Sequence, residues 1–206
     1  MKRKILVVTQ YFWPEEFRVN DLTEELIRRG FDVTVLTGLP NYPSGKLNAS
    51  FRKDPSEFNF YRGAKIIRAP MFARGNSNFT LILNYFSFAM SASFMSLKLV
   101  KKGFDVIFCY QPSPPTSILP GIVLGCVARI PVIYWVLDLW PDTLKGLGVM
   151  KSSIGLYFTE KLTKFLYSKS TLVLGQSNSI VSSIKSRVTD ESKVKLFRSW
   201  SEDLFL

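Results

Sequence analysis

The 206-residue sequence predicts an α/β fold built on one doubly wound, mostly parallel sheet. Three observations carry this. Residues 132–137 are an unbroken run of β-branched, aliphatic and aromatic side chains, which reads as a strand covered on both faces, and such strands belong to parallel sheets. Residues 4–37 hold a strand, a loop, an amphipathic helix and a second strand, a unit whose crossover is right-handed. The same alternation of strand and helix then continues along the chain, with no internal repeat or low-complexity tract.

Taken in order, residues 4–9 are the first strand. Residues 21–29 place Leu22, Leu26 and Ile27 on one helical face and charges on the other, and Gly30 stops that helix. Residues 32–37 are the second strand. Residues 38–63, with Pro40, Pro43 and Pro55, read as one long loop, and loops of that length are functional or mobile. Residues 65–68 are a short strand, and 79–100 a helix that Gly103 ends. Residues 105–110 are a strand, and 115–128 a helix with a proline-rich start. Residues 132–137 and 171–174 are strands on either side of a helix at 153–168. A helix at 177–187 follows the cap Gln176-Ser177, and 193–197 is the last strand. About seven strands therefore fall in one domain over residues 1–197, a length that buries a sizeable core once and leaves little room for two.

Hydrophobic residues make up 47% of the chain, which excludes a disordered polypeptide. There is no histidine, so Ser–His–Asp and Cys–His catalysis are excluded, and without a close cysteine pair no zinc-ligand set is present. Cys109 and Cys126 lie in apolar runs and read as buried thiols of a reducing compartment. The net charge of +11 favours nucleic acid, anionic membrane or phosphorylated ligands. No helix-turn-helix, aromatic RNA-binding motif or dense arginine face is present, so nucleic acid is not expected as a partner. Lysines and arginine grouped at 2–4, and lysines at 101–102 and 161–169, fit a solvated surface singly and an anionic membrane surface together.

Lys2-Arg3-Lys4 precedes an apolar run too short for a signal peptide. Residues 75–97 and 106–128 are uncharged and of spanning length. Asparagines and serines in the first, and four prolines in the second, argue against spanning. The first, with Phe79, Ile82, Phe86 and Phe94, fits a helix lying on a membrane or against a partner.

The apolar strand at 132–137 ends in Asp138-Leu-Trp140-Pro-Asp142. In open parallel sheets ligands sit outside the carboxyl ends of the strands, so Asp138 occupies a working position. A carboxylate there is exposed in a crevice or paired, because burying it alone costs too much. The plainer alternatives are that Asp138 caps its loop, that Asp142 caps a helical turn beginning at Thr143, and that Trp140 is a packing aromatic.

Two further motifs stand at strand ends: Gln10-Tyr-Phe-Trp-Pro-Glu-Glu16, and Leu36-Thr-Gly-Leu-Pro40-Asn-Tyr-Pro-Ser-Gly45. With Asp138-Leu-Trp-Pro-Asp142 they resemble the N-terminal domain of family-4 retaining glycosyltransferases of the GT-B fold. The resemblance is to the bacterial O-antigen and colanic acid subgroup, with fucosaminyltransferase-like members, and extends over essentially the whole chain. There are departures. Many relatives carry Gly-Gly in the loop after the first strand, where this chain has Glu15-Glu-Phe-Arg18-Val-Asn20, and many carry histidine where it has Asp138.

The resemblance implies a Rossmann-like domain that is the N-terminal half of a GT-B enzyme. Residues 198–206 would begin the interdomain linker, with the donor-binding C-terminal domain absent. It implies transfer of a sugar from a nucleotide diphosphate sugar to a polyprenyl-diphosphate-linked saccharide, without cofactor or metal, peripheral to the cytoplasmic face of the inner membrane. Asp138 would orient the acceptor hydroxyl, accept its proton or stabilise the oxocarbenium-like state. Glu16, Arg18 and Asn20 would line the crevice after the first strand. Asn41 and Tyr42 would line the acceptor side, with Trp140 and Asp142 beside Asp138. Arg18 would otherwise cap the helix or pair with Glu15 or Glu16. The competing readings are a non-catalytic membrane-associated binding module and a self-sufficient nucleotide-binding enzyme. The second lacks both Gly-x-Gly-x-x-Gly and a P-loop. Without a donor domain, the isolated chain is expected not to transfer sugar.

Overall fold

Strand-forming side chains alternate in direction, and the two sets find different partners. In the computed structural model, which describes residues 2–148 and 150–200, Leu6 and Val8 of β1 (Lys4–Val8) enter one core, and Ile5 and Val7 enter the other. Eight strands form one sheet. On one side of β1 lie β2 (Asp32–Thr37), then β4 (Ala64–Arg68) and the edge strand β3 (Phe60–Tyr61). On the other lie β5 (Val106–Gln111), β6 (Val132–Val136), β7 (Leu172–Gly175) and β8 (Val194–Leu196). Every pairing is parallel except β3 with β4. The fold is the expected doubly wound, Rossmann-like α/β domain. Strand order reverses between β1 and β5, and the crevice at such a switch point is where open α/β sheets bind ligands.

One face of the sheet is covered by α1 (Arg18–Arg28), through Val19, Leu22, Leu26 and Ile27, together with Phe197 and Trp200. The other face is covered by α3 (Asn78–Leu97), α4 (Leu119–Ala128), α6 (Ser153–Lys169) and α7 (Asn178–Lys185). Helix α4 packs between α3 and α6 and lies close on β5, because Gly121 has no Cβ to strike Cys109 Sγ. Helix α3 begins with a reciprocal Ser77/Thr80 capping box.

Several expectations are corrected. Helix α1 begins at Arg18, not at residue 21; the cap position is the extended Phe17, which offers no side-chain signal. The long loop contains α2 (Ala49–Lys53), whose N-terminus Asn48 caps by accepting from Phe51 N at 3.0 Å, and the two-residue strand β3. That strand turns into β4 through Arg62 and Gly63, both with positive φ, the geometry of a tight hairpin. The sheet thus has eight strands rather than seven. Residues 115–118 form a 3-10 turn before α4. Residues 106–128 are β5 plus this turn and helix, not a candidate span. Cys109 is buried as expected, but Cys126 is exposed. The expected linker over 198–206 lies beyond the described residues after Trp200.

Candidate functional site

Asp138 stands just beyond the end of β6, after Leu137, and is partly exposed, as a useful carboxylate at this position has to be. Its Oδ2 accepts a hydrogen bond from Trp140 Nε1 at 2.8 Å, and its other carboxylate oxygen takes no hydrogen bond from the described residues. The backbone beneath it is held from both neighbouring strands. Gln111 at the end of β5 donates through Nε2 to Asp138 O (3.1 Å), and Gln176 after β7 donates to Leu137 O (3.0 Å). The buried Tyr134 hydroxyl donates to Gln111 Oε1 at 3.0 Å, which fixes the amide so that its NH2 points at Asp138.

Beside Asp138 an aromatic wall rises from the β1 and β2 loops. Tyr11 stacks on Phe17 with ring centroids 5.5 Å apart, and Tyr42 tilts against both at 5.5 and 5.4 Å. Arg74 completes the wall, with Nη1 3.4 Å from Tyr11 Oη and Cζ 5.5 Å from the Tyr42 ring centre. Tyr85 of α3 reaches in beside them, close to Ser113 and Tyr11. Burial raises its hydroxyl above the ordinary range, the Arg74 charge opposes this, and the Asp138 charge adds to it. A carboxylate, tyrosine hydroxyls, aromatic faces and a guanidinium therefore converge at the strand ends of the switch point.

The loops that carry this wall hang on a buried carboxylate. Glu15 Oε1 accepts from Asn41 N at 2.7 Å and from Tyr42 N at 2.6 Å. Burial lifts its pKa from 4.5 to about 7, opposed by these backbone donors and by the nearby Arg68 charge. Arg68 is itself largely buried, which lowers its pKa to about 10, and it donates to Gly38 O (2.9 Å) and Trp13 O (2.5 Å). It thereby ties the first two strand-end loops together.

The residues expected at the site fall into separate places. Trp140 lies against Asp138, and Tyr42 belongs to the aromatic wall with Tyr11, Phe17 and Arg74. Glu16, Arg18 and Asn20 line a different groove, about 600 Å³ in volume, with Trp13, Phe17, Asp21, Tyr61, Arg62 and Tyr110. In it Arg18 pairs with Asp21 at 3.4 Å, and Asn20 is buried and donates to Glu15 O at 2.8 Å. Phe17 belongs both to this groove and to the aromatic wall. Asn41 is only 2% exposed, and its side chain is spent inside the protein on Leu39 O, Arg74 N and Asn84. It supports the site rather than presenting itself to a ligand. Asp142 is the first residue of α5 (Asp142–Gly146), whose cap position is Pro141, and it accepts two hydrogen bonds from Arg187 at 2.8 and 2.9 Å. Arg74, Tyr85, Gln111 and Gln176 are new to the site. The last two carried a readable signal: each is a lone amide directly after an apolar strand.

A doubly wound domain with a polar, aromatic crevice at its switch point defines a ligand-binding α/β class. Residues 16–200 match the glycosyl transferase 4-like domain, and the chain belongs to that family. No protein of curated function matches the sequence. Among solved structures, UGT89C1 of Arabidopsis thaliana aligns over 98% of this chain and 51% of its own, with a TM-score of 0.63 and 14% identity. HepE of Anabaena, in complex with UDP and glucose, aligns over 97% and 45%, at 0.56 and 11%. The lipopolysaccharide outer core galactosyltransferase WaaB in its apo form aligns over 97% and 46%, at 0.54 and 10%. These likenesses show a shared GT-B-type fold. The chain spans about half the length of each of these proteins.

Proposed function

We propose that this chain is the acceptor-side half of a retaining glycosyltransferase. It serves transfer of a sugar from a nucleotide diphosphate sugar to a polyprenyl-diphosphate-linked saccharide, in bacterial O-antigen-type surface polysaccharide synthesis. The work takes place at the cytoplasmic face of the inner membrane. The observation that carries this reading is Asp138, a carboxylate anchored at the strand end of a domain of the glycosyl transferase 4-like family. Complexes of UDP with HepE support a nucleotide sugar as the donor.

In this reading the acceptor sugar stacks on the exposed ring of Tyr42, which the buried Tyr11 backs. Its hydroxyl meets the carboxylate oxygen of Asp138 that Trp140 leaves open. Asp138 orients that hydroxyl and takes its proton as the new bond to the anomeric carbon forms and the bond from that carbon to the diphosphate oxygen breaks, releasing the nucleoside diphosphate. Tyr85 and Arg74 complete the polar surround. The donor diphosphate is held by a second half of the enzyme. The loop after β1 has no glycine to bring several backbone N–H groups onto a phosphate.

The test is turnover of the enzyme carrying both halves, with nucleotide sugars and a polyprenyl-diphosphate saccharide. Asp138→Asn keeps the size and the contact with Trp140 but removes the base. Transfer should fall at least about 100-fold, the usual scale for a lost proton acceptor, with thermal stability unchanged. Turnover near that of the parent would refute the catalytic role.

A further inference from the structure

Helix α3 is apolar on the side where a surface helix is normally polar. Its inward row is Asn84, Phe88, Ala92 and Ser96, all buried. Its outward row is Phe79, Ile82, Phe86, Met90, Phe94 and Leu97, each between 40% and 74% exposed. The outward spacing follows the helical period, so the row is one straight apolar stripe about 27 Å long at 1.5 Å per residue. Among the described residues α3 is the one helix long and apolar enough to cross a membrane, yet its inner side is locked into the core. Asn84 accepts from Gln10 Nε2 at 2.7 Å and donates to Phe72 O at 2.6 Å, deep inside the protein.

Two helices away, across α4, the surface of α6 repeats the pattern. Ile154, Tyr157, Phe158 and Phe165 are exposed, and lysines stand over the rings: Lys161 Nζ lies 5.4 Å from the Tyr157 centre, and Lys169 Nζ lies 5.9 Å from that of Phe165. On the far face the acids of helix α1 are paired with arginines: Asp21 with Arg18, Glu24 with Arg62, and Glu25 with Arg28 and Arg29. No acidic residue occurs between residues 58 and 104, a stretch that includes all of α3. The single acid on α6, Glu160, is paired with Lys164 and Arg187. An apolar stripe flanked by unopposed lysines is complementary to an anionic bilayer, where rings enter the acyl boundary and ammonium groups stay at the headgroups.

We infer that the α3–α4–α6 face docks flat on anionic lipid, with α3 lying in the interface plane. The purpose of this docking rests on the reading of a lipid-linked acceptor. Tyr85 faces the crevice one residue before Phe86 faces outward, so docking sets the Asp138 crevice beside the headgroups, where such an acceptor's diphosphate lies. The docking itself is measured without turnover.

The experiment is flotation of the chain with vesicles of phosphatidylcholine alone and of phosphatidylcholine mixed with phosphatidylglycerol. The parent should float with the mixed vesicles and release at high salt. The triple variant Phe79→Ser/Phe86→Ser/Phe94→Ser should lose at least about tenfold of that binding, since three insertions into the apolar boundary are removed. Lys161→Glu/Lys169→Glu should lose binding to mixed vesicles by a similar factor. Phe60→Ser, an equally exposed ring on the edge strand β3, and Asp138→Asn should both float like the parent. The altered side chains are exposed, so melting temperatures should match. Should the triple variant fold poorly, the lysine variant decides alone. A parent that does not float, or variants that float as well as the parent, would overturn the inference. Resistance of the parent to both salt and carbonate would overturn it in favour of a spanning helix. A dimer that the triple variant dissolves, without flotation of either protein, would reassign the face to self-association. A failed transfer assay with intact flotation would leave the docking in place and count against the proposed function alone.

Discussion

Glu15 is a carboxylate kept where charge is poorly tolerated, and its pH behaviour follows from that. Its proton is held up to about pH 7 in the folded chain and only to about the ordinary 4.5 when unfolded. Between those values the folded state binds more protons, so stability falls as pH rises through the window, by an amount on the order of 3 kcal/mol for one such group. Glu15→Gln keeps an oxygen to accept from Asn41 and Tyr42 but never ionises. The variant's melting temperature should change less than the parent's between pH 5 and 8 and should be the higher of the two at pH 8. Parallel curves for the two proteins would show that Glu15 does not set the slope. The Asp138 support offers a second test. Tyr134→Phe removes the hydroxyl that orients Gln111, at a cost of about 1–2 kcal/mol for a buried hydrogen bond. If the chain from Tyr134 through Gln111 positions Asp138, turnover of the complete enzyme should drop several-fold with KM little changed. Lost stability with unchanged turnover would assign the network to packing alone.

At the scale of elements, local signals were legible where one residue type settles the matter. The parallel strands were readable from their apolar runs, Gly30 and Gly103 mark stops with positive φ, and Ser177 caps α7 by accepting from Ile180 N. The elements missed from sequence were those made by contacts. Strand β3 is two residues held by a hairpin, and α1 starts after an aromatic residue that no capping rule selects. The site divides in the same way. Asp138 was legible as an acid after a buried strand, whereas Tyr85 comes in from α3 and Arg74 from the loop before it, held by its backbone N–H on Asn41, and neither contact is written in a local pattern. Asn41, which the motif implied to be a ligand contact, turns inward because the loop needs its amide. The packing of α4 gives the element-scale prediction. Helix propensity favours alanine over glycine by about 1 kcal/mol. At Gly121, however, a Cβ would strike Cys109 Sγ and lie 3.1 Å from Ile107 Cγ2. Gly121→Ala should therefore destabilise, by about 1–3 kcal/mol as overpacking does, and Cys109→Ala added to it should recover part of the loss. A stabilised single variant in denaturant unfolding would show that the helix is free to shift away from the sheet.

At the scale of the whole molecule, the sheet presents its strand ends as an open surface. Sugar transfer separates charge: negative charge gathers on the leaving diphosphate while the anomeric carbon becomes positive. Donor groups fixed in a water-excluded crevice stabilise such charges far better than groups facing bulk water do. On this chain Asp138 is partly exposed and Tyr42 exposed at the edge, and the loop after β1 lays no glycine backbone on a phosphate. Under the proposed function, positioning the acceptor hydroxyl is the part of the reaction that falls to these residues. Residues 1–206 by themselves are therefore predicted to bind the lipid-linked acceptor and to release no measurable product with any nucleotide sugar. Supplying the diphosphate-holding half of the enzyme should bring transfer above a matched Asp138→Asn control. The measurement is product formation by the isolated chain, followed chromatographically against that same control. Product above the control would mean that the strand-end crevice closes over the donor without help, and the division of labour between two halves would have to be abandoned.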